Sequence, residues 1–127
     1  MRKCVVVLIG VALLVGAYVV ADGQGEEKLL RHVVLFKFKE GTTPEKIKEI
    51  EEGFCALPGK ISEIKDFEWG ADVKAKRSHG YTHCFLVTFK TEEGLKTYGP
   101  HAAHQAFVAL LKPHLDECLV IDYWAKK

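Results

Sequence analysis

The sequence predicts an α+β fold of order βαββαβ, with an antiparallel four-stranded sheet and helices on one face. Four segments are rich in β-branched and aromatic residues, as strands are, and two segments with helical spacing lie between them. The chain has 127 residues, enough for one such domain. Its formal net charge of +1 excludes a strongly basic domain that binds nucleic acid by neutralising phosphates.

The first half of the folded part contains a strand and a helix. The strand is predicted over 32–38, His-Val-Val-Leu-Phe-Lys-Phe. Thr43 can cap a helix whose first position is Pro44, and Pro58-Gly59 is predicted to end that helix. One apolar helical face is formed by Ile47, Ile50, Phe54 and Leu57.

The second half completes the order with two strands, a helix in two pieces and a last strand. It is predicted to contain a strand over about 64–73, a polar turn over 74–80, a strand over 81–89, a short helix that Thr91 caps and that carries Tyr98, a longer helix from the Gly99-Pro100 break to Leu115, and a strand over 118–124. This succession of elements is the ferredoxin-like arrangement.

Both faces of the predicted sheet are largely apolar. The residues of one face are His32, Val34, Phe36 and Phe38 in the first strand and His83, Phe85, Val87 and Phe89 in the third, and those of the other are Val33, Leu35, Cys84 and Leu86. An antiparallel sheet with helices on one face normally leaves polar residues on the other. We therefore expect a homodimer in which a second copy covers the second face.

The N-terminus reads as a leader for export. Arg2-Lys3 precedes a run from Cys4 to Ala21 without any charge. We predict a signal peptide over 1–21, a short linker over 22–29 and a folded domain over 30–127 in a periplasmic or secreted protein. Because 18 uncharged residues reach the lower limit of a membrane-spanning helix, a retained N-terminal membrane anchor is the alternative. A membrane is a partner only in that case.

After the leader, the chain has three cysteines, Cys55, Cys84 and Cys118. Their number is odd and their spacing fits no metal knuckle. Cys84 and Cys118 fall in apolar strand-like runs. We therefore expect all three to be small buried hydrophobic residues.

The histidines suggest a site between sheet and helices. His32 and His83 begin apolar strand faces, and His104 begins a helical stripe with Phe107, Val108, Leu111 and Leu115. The three imidazoles are expected at one end of the space between sheet and helices, with the Tyr98 phenol beside them. A histidine base beside a phenol suits proton abstraction next to a carbonyl group.

Two alternatives to this site remain open from the residues. Each histidine could instead satisfy a local backbone group. His101 and His104 stand at i, i+3 and could hold a metal ion together with His83, although no carboxylate lies at a matching position. We predict no metal site.

Several motifs together resemble one family. They are Arg-His-Val-Val-Leu-Phe-Lys-Phe-Lys over 31–39, Trp69-Gly70, Gly80-Tyr81-Thr82-His83, Tyr98 with His101-Ala102-Ala103-His104, and Ile121-Asp122-Tyr123. This combination resembles the stress-responsive A/B barrel (Dabb) family over about residues 30–127. The resemblance implies a dimeric α/β barrel, in which two ferredoxin-like sheets pack face to face.

The resemblance also implies candidate roles for residues. The family includes plant heat-stable stress proteins and a polyketide cyclase that works without metal or cofactor. The catalytic tyrosine and histidine of the cyclase match Tyr98 and His104, and two further pocket histidines match His32 and His83. Phe36, Phe85 and Val87 are expected to line the ligand pocket with these histidines. The chain departs from the cyclase at Glu51 and Glu68, where the cyclase has aromatic residues, and at Ala102, where the family has proline.

Three functions are therefore compatible with the sequence. The first is an exported homodimer that binds a small apolar or phenolic ligand in a histidine-lined pocket. The second is a cofactor-free cyclase or lyase that uses Tyr98 and His104 for proton abstraction and enolate stabilisation. The third is a haem-handling or monooxygenase-type protein, because similar dimeric barrels do that work.

Overall fold

The computed structural model describes residues 27–74 and 76–127. The predicted leader and most of the predicted linker lie outside this part. The elements are strand β1 (Leu30–Phe38), helices α1 (Pro44–Cys55) and α2 (Leu57–Lys60), strands β2 (Ile64–Ala71) and β3 (His83–Phe89), helices α3 (Glu92–Tyr98) and α4 (Ala102–Leu111), a 3-10 turn (Lys112–His114) and strand β4 (Leu115–Trp124).

The four strands form one antiparallel sheet in the order β2-β3-β1-β4. The helix caps read from the sequence are present, because Thr43 Oγ1 accepts from the Lys46 amide at 3.2 Å and Thr91 Oγ1 accepts from the Gly94 amide at 3.0 Å. The ferredoxin-like fold predicted from the sequence is confirmed.

Two predicted helix boundaries were wrong, and a proline lies at each. Pro58 does not end helical structure but lies in the first turn of α2, where its missing N–H is not needed. The last helix does not reach Leu115, because the chain changes to a 3-10 turn that contains Pro113. Leu115 already belongs to β4, so it leaves the helical stripe that the sequence predicted.

The core lies between the helices and one face of the sheet. Phe54 of α1 stacks on Phe85 of β3 with ring centroids 4.1 Å apart, and Phe107 of α4 lies 4.8 Å from Phe54. Phe36 of β1 lies 5.2 Å from Phe85. These four aromatic rings bind both helices to the two central strands.

The other face of the sheet, which we call the outer face, is apolar and exposed. It carries Val33, Leu35, Leu86, Leu119, Ile121 and Tyr123, which alternate with the residues that point toward the helices. Ile121, on the edge strand β4, is 51% exposed. The apolar second face predicted from the alternation is therefore present.

The prediction that the cysteines are buried was wrong for the isolated protomer. Cys55, Cys84 and Cys118 are free thiols and all three are exposed. Cys84 stands on the outer face, and Cys118 lies on the edge strand β4, which is exposed from Asp116 to Trp124. The spacing of apolar residues indicated strands correctly, but it did not indicate which parts of the sheet the helices leave open.

In the part of the chain that the structure describes, no helix combines the length and the apolar character that crossing a membrane requires.

Candidate functional site

A cavity of about 330 Å³ lies between the sheet and helices α3 and α4. One end is polar, with His32 of β1, Tyr98 of α3 and His104 of α4. The rest of the wall is apolar and includes Phe36, Phe54, Leu95, Phe107, Val108, Leu111, Leu115, Cys118 and Val120. The cavity therefore fits a small molecule that is apolar over most of its surface and polar at one end.

The break between α3 and α4 places Tyr98 and His104 together. Pro100 cannot donate a backbone hydrogen bond, so α3 ends near Gly99 and the chain restarts as α4. Tyr98 is the last residue of α3, and its ring centroid lies 4.3 Å from that of His104 in the first turn of α4. The imidazole of His32 also contacts the phenol ring in an edge-on arrangement, with ring centroids 5.7 Å apart.

The hydrogen bond of His104 determines which of its nitrogens can act as a base. Nδ1 of His104 lies 2.8 Å from the carbonyl oxygen of Gly99. Because a carbonyl oxygen only accepts hydrogen bonds, Nδ1 must carry a proton. In the neutral imidazole, Nε2 then holds the free lone pair. His104 thus satisfies a local backbone group and still offers a proton acceptor.

His32 is oriented by a carboxylate that the sequence analysis did not select. Nδ1 of His32 lies 2.5 Å from Oδ1 of Asp122 on β4. The carboxylate accepts from Nδ1–H, so Nε2 of the neutral ring again holds the lone pair. Asp122 could have been selected only from the register of β1 and β4, in which it pairs with His32. A single sequence does not reveal that register.

The Tyr98 hydroxyl is available to a ligand. Tyr98 is 3% exposed, and its hydroxyl makes no hydrogen bond to another described residue. Every fully buried side-chain nitrogen or oxygen within 27–74 and 76–127 has a partner, so the phenol oxygen must be reachable from the cavity. Burial raises the pKa of Tyr98 well above its usual value, so the phenol stays protonated and acts as a hydrogen-bond donor.

The expectation that His83 shares this end of the cavity was wrong. In the antiparallel register of β1 and β3, His32 pairs with Val87 and His83 pairs with Phe36. The two histidines therefore lie four residues apart along the sheet, about 13 Å. Both face the helices as predicted, but at opposite ends, and His83 contacts Glu51 instead.

The three apolar residues predicted to line the pocket have different positions. Phe36 lies in the cavity wall. Phe85 and Val87 are fully buried in the core and are not part of that wall. Both are on the central strand β3, which the helices cover completely at this point.

The histidines weighed as metal ligands do not come together. Nδ1 of His101 accepts from the Ala103 amide at 3.0 Å and caps α4. His83 lies at the far end of the sheet from His104. Among the described residues, no group of three His, Cys, Asp or Glu side chains is arranged to hold a metal ion.

Comparison with known proteins identifies a family model and several relatives that match this chain. The family model described as "Stress responsive A/B Barrel Domain" matches residues 30–125. The stress-response A/B barrel domain-containing protein HS1 of Arabidopsis thaliana is 43% identical over 95 residues, which cover 74% of this chain and 87% of HS1. The olivetolic acid cyclase of Cannabis sativa is 32% identical over 99 residues, which cover 77% of this chain and 98% of the cyclase.

Solved structures give the same fold. A crystal structure of an Arabidopsis thaliana protein aligns with a TM-score of 0.71 and 40% identity, over 77% of this chain and 96% of that one. A protein of unknown function from Bacteroides fragilis, described as dimeric with a ferredoxin-like fold, aligns with a TM-score of 0.65 and 25% identity, over 76% of this chain and 96% of that one.

Proposed function

The chain belongs to the stress responsive A/B barrel domain family, and from this premise we propose that it is an exported homodimer that binds a small phenolic or carbonyl ligand beside His32, Tyr98 and His104. The observation that carries the proposal is the Tyr98 hydroxyl, a donor without a hydrogen-bond partner among the described residues, which lies near two imidazoles at the polar end of an apolar cavity.

The polar end specifies which hydrogen bonds a ligand must make. Tyr98 offers one donor, and Nε2 of His32 and Nε2 of His104 offer two acceptors. A carbonyl oxygen with a neighbouring hydroxyl group satisfies both kinds of partner. The apolar wall formed by Val108, Leu111 and Val120 then contacts the remainder of the ligand.

A thermal-shift screen with phenolic and diketone compounds tests ligand binding. A compound present at about 100 times its Kd should stabilise the protein by ~2.7 kcal/mol, which raises Tm by several degrees. His104→Ala removes an acceptor from the cavity wall and should abolish this shift. Tyr98→Phe removes only the donor and should reduce it.

A matched control for this screen is His79→Ala, because His79 is an exposed histidine of the connection between β2 and β3. The control should keep the full shift. If no compound stabilises the protein, or if a shift survives in both cavity variants, the proposed site is refuted.

A second candidate function is a cofactor-free cyclase or lyase reaction at the same site. It is favoured by the pairing of a base with a protonated phenol and by the similarity to olivetolic acid cyclase. Nε2 of His104 would take a proton from the carbon next to a carbonyl group. The Tyr98 hydroxyl would donate a hydrogen bond to the enolate oxygen that forms.

We expect turnover, where a bound compound has an acidic C–H next to a carbonyl, to depend on both residues. Tyr98→Phe should lower kcat at least ~100-fold while the compound still binds, because the phenol acts mainly on the charge that develops in the transition state. Unchanged kcat in this variant would contradict the reaction without contradicting ligand binding.

Asp122 is a positioning residue for His32 in this proposal. Asp122→Asn replaces the acceptor-only carboxylate by an amide that can also donate, so the His32 ring can adopt either tautomer. Ligand affinity should fall about 10-fold, measured by titration. Asp116→Asn, an exposed carboxylate near the start of the same strand, is the control and should bind as the wild type does. Equal affinity in both variants would remove Asp122 from the site.

The outer face supports the homodimer part of the proposal. Leu119, Ile121 and Tyr123 on this face are exposed in the protomer, and the protein of similar fold from Bacteroides fragilis is described as dimeric. A second copy that packs the same face would remove this apolar surface from water.

Export is supported by the sequence of residues 1–21, with membrane anchoring by 4–21 as the alternative. N-terminal sequencing of the protein purified from its source distinguishes cleavage from a retained anchor.

A further inference from the structure

His83 and its two hydrogen-bond partners form a second polar cluster at the end of the sheet away from His104. Nε2 of His83 lies 2.8 Å from Oε1 of Glu51, and Nδ1 lies 2.8 Å from Oγ1 of Thr82. The ligand site described above uses none of these three side chains.

The chemistry of these three groups determines which of them donates and which accepts in each hydrogen bond. An ionised carboxylate only accepts hydrogen bonds, so Nε2 of His83 must donate its proton to Glu51. In the neutral ring Nδ1 is then an acceptor, and the Thr82 hydroxyl must donate to it. The order hydroxyl, imidazole, carboxylate is that of a nucleophile, its base and the acid that orients the base.

The packing around His83 keeps the ring in this orientation. Trp69 lies parallel to the imidazole at 6.1 Å, and Phe38 meets it edge-on at 5.2 Å. His83 is only 6% exposed, whereas Thr82 is exposed to solvent. The imidazole of His83, which acts as the base, is therefore buried, whereas the Thr82 hydroxyl that it activates is accessible from solvent in the protomer.

Thr82 and His83 line a cavity of about 310 Å³ at this end of the sheet. One side of its wall belongs to the connection between β2 and β3 and includes Asp72, Ser78 and Tyr81. The side toward the outer face is formed by Leu35 and Cys84. Ser78 provides a hydroxyl donor in the wall, and the carboxylate of Asp72 disfavours anions. We propose that this is an acyl-transfer site, in which Thr82 takes an acyl group from a small uncharged ester.

The reaction needs no component beyond the ester and water. Oγ1 of Thr82 forms a bond to the carbonyl carbon as its proton passes to Nδ1 of His83. The bond between the carbonyl carbon and the ester oxygen then breaks, and Nδ1 returns the proton to the alcohol or phenol that leaves. A water molecule deprotonated by the same nitrogen hydrolyses the acyl-threonine, which releases a carboxylic acid and restores Thr82.

Reaction of the full chain with p-nitrophenyl acetate tests the proposal. Peptide mass spectrometry should find one acetyl group on Thr82, and Thr82→Val should abolish it, whereas Thr82→Ser should retain the reaction. Thr42 is the matched control, because its exposed hydroxyl donates to the Lys39 carbonyl at 2.6 Å and has no imidazole beside it. Thr42 should stay unmodified.

Glu51 is a positioning residue, so its variant needs a readout other than stability. Glu51→Gln should slow acetylation of Thr82 at least ~10-fold. Glu51→Asp, which keeps a carboxylate that only accepts hydrogen bonds, should restore part of the lost rate. Glu49→Gln is the matched control and should leave the rate unchanged, since Glu49 is exposed on the same helix and pairs with Lys46.

Three results would overturn the acyl-transfer site. They are acetyl groups on lysine or tyrosine side chains without acetyl-Thr82, an unchanged rate in Glu51→Gln, and a loss of acetyl-Thr82 in Glu49→Gln as large as in Glu51→Gln.

Discussion

Phe54→Ala is expected to lower the free energy of unfolding by about 3–5 kcal/mol. Phe54 is 2% exposed and stacks on Phe85, with Phe107 on α4 as its further neighbour. Alanine would remove the ring that joins α1, α4 and the sheet, and it would leave a hole beside an existing cavity whose wall includes Phe54. The surrounding side chains therefore cannot move far enough to fill the hole, and the loss of stability is correspondingly large.

Thermal or urea unfolding at one fixed protein concentration measures this effect. A domain of this size should lose at least ~12 °C in Tm. Phe67→Ala is the comparison variant, because Phe67 is half-buried on the edge strand β2 and its ring lies 5.4 Å from that of Phe54. A loss for Phe54→Ala no larger than for Phe67→Ala would contradict the central role of Phe54 in the core.

Ile121→Asp is expected to convert the proposed homodimer into monomers. Ile121 pairs with Val33 on the outer face and is 51% exposed in the protomer. In a two-fold symmetric interface the substitution enters twice, and both charges would lose water without a partner. The dimer Kd should rise at least ~100-fold, since burial of an unpaired charge costs several kcal/mol.

Light scattering during size-exclusion chromatography gives the mass of the assembly. Val73→Asp adds the same charge at an 88% exposed residue outside the sheet and should leave the dimer intact. A dimer that persists in Ile121→Asp would show that the copies associate through another surface. A wild type that is monomeric would refute the homodimer itself.

The sequence indicated the elements through local chemistry. Thr43 and Thr91 cap helices because a short side chain with an oxygen can accept the free amides of a first turn. Alternation in β1 and β3 indicated correctly which residues face the helices, because successive side chains of a strand point to opposite faces. Proline was less informative, since Pro58 lies inside the first turn of a helix rather than at an end.

Local sequence predicted only some of the contacts in the candidate site. Tyr98 and His104 are six residues apart on either side of one break, so their contact follows from local structure. His32 joins them, and His83 does not, because of hydrogen bonding between strands that are distant in the chain. Periodicity gives the face of a side chain but not its position along the neighbouring strand.

The sequence by itself therefore determined the order of elements, the apolar character of both sheet faces and the pair formed by Tyr98 and His104. Only the tertiary structure decided that Asp122 orients His32, that Glu51 and Thr82 bind His83, and that the cysteines stay exposed in the protomer. The physical reason is that strand register and the area covered by the helices arise from contacts between distant segments. Local propensity and spacing carry no information about those contacts.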